Sequence, residues 1–390
     1  MAIVYKHFFI FQILKKHTTF MKIKNTISVL ALLLSFSAFA TVHTVSNDPN
    51  NPAQYSGVQA AINAANPGDT IYVQATYVTL QNGTYQNAGT NYGNITINKR
   101  IVLIGSGYNP SQDIAYISTL GTVTFDTVNA VVGTSATGAS GSVVSGFYIN
   151  GNVNMQNYTT NVYATNLTLE RCLISGSVNL YYSNNTIVQQ NVFTTGAPLY
   201  LGSNTNLVVR NNIFNAPIYA FYNGVIVNFI LTNNNFIGYV TTPNTAAYSL
   251  FPSYTPSNVV ITNNIFFAVD PTGANNSTFN NNMTWVDANP TLPPGTTNVG
   301  SGNFSNTNPT FVNYPSTSQN YSTTYNFQLA AGSPGKNAGT DGTDIGVYGG
   351  IGFVASGAPN VPYIEHFVIN NSSISVGQNL NSTIEAKAQK

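Results

Sequence analysis

Between Ile114 and Gly335 only six side chains are charged at neutral pH: Asp126, Glu170, Arg171, Arg210, Asp270 and Asp287. The span contains no Lys and no His, and His43 and His366 stand at opposite ends of the chain beyond residue 40. A Ser-His-Asp triad therefore has no base there, and a His-containing zinc site has no ligands. One carboxylate pair remains for acid–base work. Asp270 follows Asn264 by six residues, and Asp287 follows the Asn281-Asn282 turn by five or six. On successive coils they would be neighbours, and two carboxyl groups about 5–9 Å apart suit glycoside hydrolysis. The same residues also read as turn starts, Asp270-Pro271 and Asp287-Ala288-Asn289-Pro290, with each acid bonding its own backbone.

A second constellation lies two residues before a repeated Asn: Glu170, Gln189, Arg210, Thr232 and Thr262. Strand alternation turns these outward. They form a polar stripe able to touch sugars, a base at Arg210 for a lyase, or a solvated face. A third is aromatic. Aligning Leu180, Leu201 and Ala220 puts Asn179, Tyr200 and Tyr219 in one outward column, with Tyr181 and Phe221 in the next. Rings of this kind suit the apolar faces of sugars, although tyrosine is also simply a good strand residue. Asp341-Gly342-Thr343-Asp344 lacks the further acids of a calcium loop and reads as a closing turn. No metal and no cofactor is expected.

The elements that must position these residues come from a repeat. Leu167–Ile174, Thr186–Phe193, Leu207–Phe214, Phe229–Phe236 and Val259–Phe266 share the form apolar, two variable residues, Asn, one variable residue, apolar. Val144–Ile149 is a degenerate earlier copy. Key positions at 147, 172, 191, 212, 234 and 264 are separated by 25, 19, 21, 22 and 30 residues. An interval near 20 with strand composition predicts coils of three short strands, stacked in parallel at about 4.8 Å. The Asn column Asn191, Asn212, Asn234 and Asn264 then forms a ladder at a sharp turn. Cys172, the single cysteine, occupies that column as a small buried substitute rather than a reactive thiol. The longest excursion from the stack is Gly238 to Pro256. Upstream, Val58, Ala61, Ile62 and Ala65 make one apolar stripe, predicting a short helix over Ser56–Ala65 that covers the open end of the stack.

Met21 to Ala40 reads as a signal peptide: Lys22 and Lys24, an apolar run Ile27–Phe36, and the small-residue site Ala38-Phe39-Ala40. Residues 1–40 form the leader, with the start codon at Met1 or Met21 and cleavage after Ala40. From Thr41 onward seven basic residues face eleven acidic ones, a net charge of −4. No basic patch remains to bind nucleic acid or anionic lipid. The apolar run is too short to span a bilayer, so no membrane insertion is expected. Charged residues make up 6% of the chain, against roughly 25% in an ordinary soluble protein, and 43% are hydrophobic. A large core can form.

The helix-then-strand opening, the Asn-centred repeat and the closing run Ser333-Pro334…Asn337-Ala338-Gly339…Asp344-Ile345-Gly346 resemble secreted bacterial proteins of the pectin-lyase-like superfamily, over roughly residues 42–350. The resemblance implies an all-β fold, a single-stranded right-handed parallel β-helix (solenoid) over 41–350, with the N-terminal capping helix and C-terminal capping strands or tail over 351–390. It also implies that the strand row of Tyr200 and Tyr219 is the face enzymes of this fold use for substrate. Superfamily hydrolases cluster three Asp residues on neighbouring coils, and its calcium-dependent lyases use several acids with an Arg or Lys base. Neither set is visible. The expectation is therefore a secreted, extracellular, cell-surface or periplasmic monomer that binds polysaccharide or a surface glycan through Tyr181, Tyr200, Tyr219 and Phe221 without catalysis. The alternative is a polysaccharide lyase or glycoside hydrolase using Asp270, Asp287, Glu170 or Arg210.

Overall fold

The computed structural model describes residues 40–76, 78–81, 84–87, 91–109, 117–126, 138–155, 164–221, 226–240, 245–286, 291–315, 317, 319–359, 363–369, 377 and 382–387. The expected signal peptide lies, apart from Ala40, outside the described residues, as does Asp287. All elements below belong to the compact unit Thr41–Lys390.

The chain winds through three parallel sheets of ten, eight and six strands. One coil shows the plan. Asn184–Gln189 lies in the ten-stranded sheet, Val192–Phe193 in the eight-stranded sheet and Leu199–Leu201 in the six-stranded sheet. Each strand then pairs with its counterpart one coil away, Val188 with Val209 and Phe193 with Phe214. This is a right-handed parallel β-helix, the hand that parallel crossover connections take. Inward positions carry the core: Leu169, Val188, Val209, Leu231, Ile261 and Phe279 are fully buried along one column. In the eight-stranded sheet Phe193, Phe214, Phe236 and Phe266 stack with centroids 4.3, 4.9 and 5.1 Å apart. Each contact of that kind adds about 0.5–1.5 kcal/mol beyond area burial. The helix α1 (Val58–Ala64) buries Val58, Ala61 and Ile62 against the first strands, Val42–Val45, Thr70–Val73 and Ile95–Ile97.

The corner between the ten- and eight-stranded sheets needs two residues with two different tasks. Arg171, Gln190, Asn211, Asn233, Asn263 and Asn281 adopt φ between 52° and 58° and turn the chain. Asn tolerates this left-handed region better than most residues. The next residue points inward and forms the ladder. Asn191 Nδ2 donates to Leu169 O and Asn212 Oδ1, and Asn212 Nδ2 to Val188 O and Asn234 Oδ1. The series continues through Asn264, Asn282 and Asn303. At the other end Asn191 Oδ1 accepts the Cys172 N–H at 2.9 Å.

Outside this corner runs a strap. Asn281 donates to Ala338 O, Asn263 to Thr340 Oγ1, Asn211 to Val347 O and Gly349 O, Gln190 to Gly352 O, and Arg171 to Ala358 O. The side chains of the turning residues thus hold the closing segment along six coils. Residues 351–358 continue this strap, ending where Ser356 O accepts the Tyr108 and Asn109 N–H groups. At Gly357, φ is 66° and an added Cβ would meet Tyr108 Cδ1 at 2.2 Å, so no other residue fits. Beyond it, Tyr363–Ile369 and Ser382–Lys387 pair as an antiparallel hairpin.

Candidate functional site

Outward positions of the six-stranded sheet form one column: Thr96, Thr124, Asn154, Asn179, Tyr200 and Tyr219, in register from coil to coil. Six rungs at about 4.8 Å span about 24 Å. The lower half is polar, and Asn179 Nδ2 donates to Asn154 Oδ1 at 2.7 Å. The upper half is aromatic. Tyr200 stacks on Tyr219 with centroids 5.2 Å apart and planes 20° from parallel.

Just past these strands a second column holds Tyr181, Gly202 and Phe221. Tyr181 and Phe221 meet edge to face at 4.8 Å across the intervening coil. Gly202 makes room for this contact, since an added Cβ would lie 3.1 Å from Tyr181 Cδ1. Tyr200 ties the columns together, 6.3 Å from Tyr181 and 5.6 Å from Phe221. The four rings thus form one cluster, with Tyr181, Tyr200 and Tyr219 half-buried and Phe221 exposed by 42%. Counting along the sequence missed two neighbours. Tyr182, exposed by 44%, follows Tyr181, and Tyr254, exposed by 47%, donates its N–H to Ala220 O. Tyr254 lies in the Gly238–Pro256 excursion, where the repeat interval gives no guide to register.

The charged candidates lie elsewhere. Glu170, Gln189 and Arg210 share a register position in the ten-stranded sheet. They are joined end to end: Ser145 Oγ and Gln189 Nε2 donate to the two Glu170 oxygens at 3.0 and 2.6 Å, and Arg210 Nε donates to Gln189 Oε1 at 2.9 Å. Glutamine bridges the two charges, so Arg210 is engaged by an amide rather than held free as a base. Asp270 is half-buried, and Oδ1 accepts the Thr272 N–H at 3.1 Å, the geometry of a turn start. Burial raises its pKa against the opposing hydrogen bonds from Thr272. Its proposed partner Asp287 lies outside the described residues. Asp341 accepts from Thr343, and Asp344 pairs with Lys336 Nζ at 2.8 Å. Among the described residues no three His, Cys, Asp or Glu side chains cluster as metal ligands. The Cys172 thiol is fully buried, and burial pushes its pKa up to about 12.

The arrangement therefore offers a face of rings and amides, without a charged group in its two columns. No known protein family matches the chain, and no curated protein does either. Among solved structures, the chain is similar to the pectin methylesterase from Aspergillus niger in penultimately deglycosylated form. The two share 16% identity over 68% of this chain and 87% of that one, with a TM-score of 0.27.

Proposed function

We propose that this chain is a secreted binding protein that holds an extracellular polysaccharide on the outer face of its six-stranded sheet, without catalysis. The observation that carries the reading is the four-ring cluster of Tyr181, Tyr200, Tyr219 and Phe221, continued along the stack by Asn179 and Asn154. Sugar rings present flat C–H faces to aromatic side chains and hydroxyls to amides, so such a column matches a saccharide chain in both respects. With no charge in the columns, the favoured ligand is a neutral glycan rather than a uronate or sulfated one, whose charges need cationic partners. The protein acts as a monomer outside the cytoplasm, and neither nucleic acid nor membrane is its partner.

A second reading, a polysaccharide lyase or glycoside hydrolase, draws on Asp270. A carboxyl whose pKa is raised by burial is the usual form of a general acid. One experiment separates the two. The purified chain is applied to an array of neutral and acidic polysaccharides while reducing and unsaturated ends are assayed. Retention on neutral glycans without product, lost in Tyr200→Ala/Tyr219→Ala, supports the binding protein. Product that survives those changes and disappears in Asp270→Asn or Arg210→Ala makes it an enzyme instead.

A further inference from the structure

The first strand, Val42–Val45, is preceded by a residue whose backbone nitrogen lies against a buried carboxylate. The Thr41 N–H donates to Asp69 Oδ1 at 2.7 Å, and the Thr41 carbonyl accepts the Thr70 N–H at 3.0 Å. Asp69 is 2% exposed. Its Oδ2 accepts the Asn66 N–H at 2.7 Å and lies 3.0 Å from His43 Nε2. Among the described residues no lysine or arginine pairs with it. Two oxygens thus collect two backbone N–H groups and one imidazole, and a full positive charge is missing. Thr41 is also where the compact unit begins and the first residue after Ala38-Phe39-Ala40.

We propose that Asp69 is the docking site for a new N-terminus: hydrolysis of the Ala40–Thr41 bond creates a Thr41 ammonium that pairs with the Asp69 carboxylate and locks the first coil. This rests on the reading of residues 21–40 as a signal peptide. A leader peptidase supplies the catalysis and water the atoms. The C–N bond breaks, the hydroxyl of water joins the Ala40 carbonyl carbon and its hydrogen joins the Thr41 nitrogen. At neutral pH the new acid releases a proton and the new amine takes one up. The peptide N–H of the precursor thereby becomes a charged donor at the same oxygen, and charge-assisted hydrogen bonds are roughly twice as strong as neutral ones. Since Thr41 also pairs with Thr70 through its carbonyl, the ammonium fixes the edge of the ten-stranded sheet next to α1.

The test uses the full chain exported with its own leader, beside a version with Gly-Ser inserted between Ala40 and Thr41, and Asp69→Asn in each. Intact mass gives the N-terminus, and acetic anhydride at pH 8 measures how available its amine is. The expected result is a chain starting at Thr41 whose amine is acylated roughly tenfold more slowly than that of the insertion form, because only the free base reacts. Asp69→Asn is expected to bring the two rates together. A mature chain starting elsewhere overturns the signal-peptide reading. A Thr41 start with equal rates in the native and insertion forms overturns the docking site while leaving that reading intact. The insertion form retains Asp69, so the comparison holds even where Asp69→Asn fails to fold.

Discussion

The flank that carries the Asn ladder and the face that carries the aromatic cluster are built from the same coils, yet they treat their side chains in opposite ways. On the ladder flank every amide is used up: Asn212 alone serves Asn191, Val188 O, Arg210 O and Asn234. On the aromatic face the rings contact each other and leave a surface of phenol and benzene edges toward solvent. A saturated column holds a fold together, and an unsaturated one is available to a ligand. The difference makes a comparison that mutations can break.

The largest effect is expected at Asn212→Ala. It strands buried groups of two coils at once, each costing about 1–3 kcal/mol, so a loss of about 3–5 kcal/mol in urea unfolding should result. A loss below about 1 kcal/mol would deny the ladder its structural role. Next comes Asn211, whose amide holds the strap and whose φ is 53°. Asn211→Gly should cost about 1–2 kcal/mol for the lost clasp, and Asn211→Ala about 1 kcal/mol more for left-handed backbone strain. Limited proteolysis should then cut within residues 338–358 first.

On the other face, Tyr200→Ala/Tyr219→Ala should change stability by less than about 1 kcal/mol while weakening glycan retention roughly tenfold. A large stability loss with unchanged retention would make these rings structural. Arg210→Ala should cost only about 0.5 kcal/mol, since an exposed polar bridge contributes little, and should leave retention unaltered. Smallest of all is the response of Cys172 to thiol reagents at pH 8, expected to be nil until the chain unfolds. Its folded pKa, about 12, lies above the ordinary value of 9.0. The stabilising contribution of the protonated thiol is therefore complete below about 9 and is lost as pH rises toward 12.

What the sequence made legible was whatever repeats. The intervals between Cys172, Asn191, Asn212, Asn234 and Asn264 place the coils, because a ladder needs the same residue at the same corner. Counting two residues back from that corner puts Glu170, Gln189 and Arg210 at one register position, and alternation from Leu180, Leu201 and Ala220 puts Tyr200 beside Tyr219. The strap was not legible. It is held by side-chain amides reaching its backbone carbonyls, and a carbonyl carries no residue identity. The Ser333–Gly346 run therefore suggested a closure, and the path of 351–358 back along the flank had no signal. Gly202 escaped notice because its importance lies in the absence of a side chain between Tyr181 and Phe221. Asp69 escaped because its partners are backbone nitrogens 3 and 28 residues away. Tyr254 sits in an insertion that breaks the count.

The strap has a consequence for how this protein can evolve. Solenoids commonly lengthen or shorten by duplicating or deleting a repeat, since each coil touches only its neighbours. Here Ala338 is tied to the coil of Asn281 and Ala358 to that of Arg171, with intermediate clasps at Asn263, Asn211 and Gln190. A coil gained between 171 and 281 would move one end of that track by about 4.8 Å and leave later clasps facing the wrong carbonyls. The strap thus works as a gauge that fixes the number of coils, and a lineage that changes the count must change the length of the strap with it.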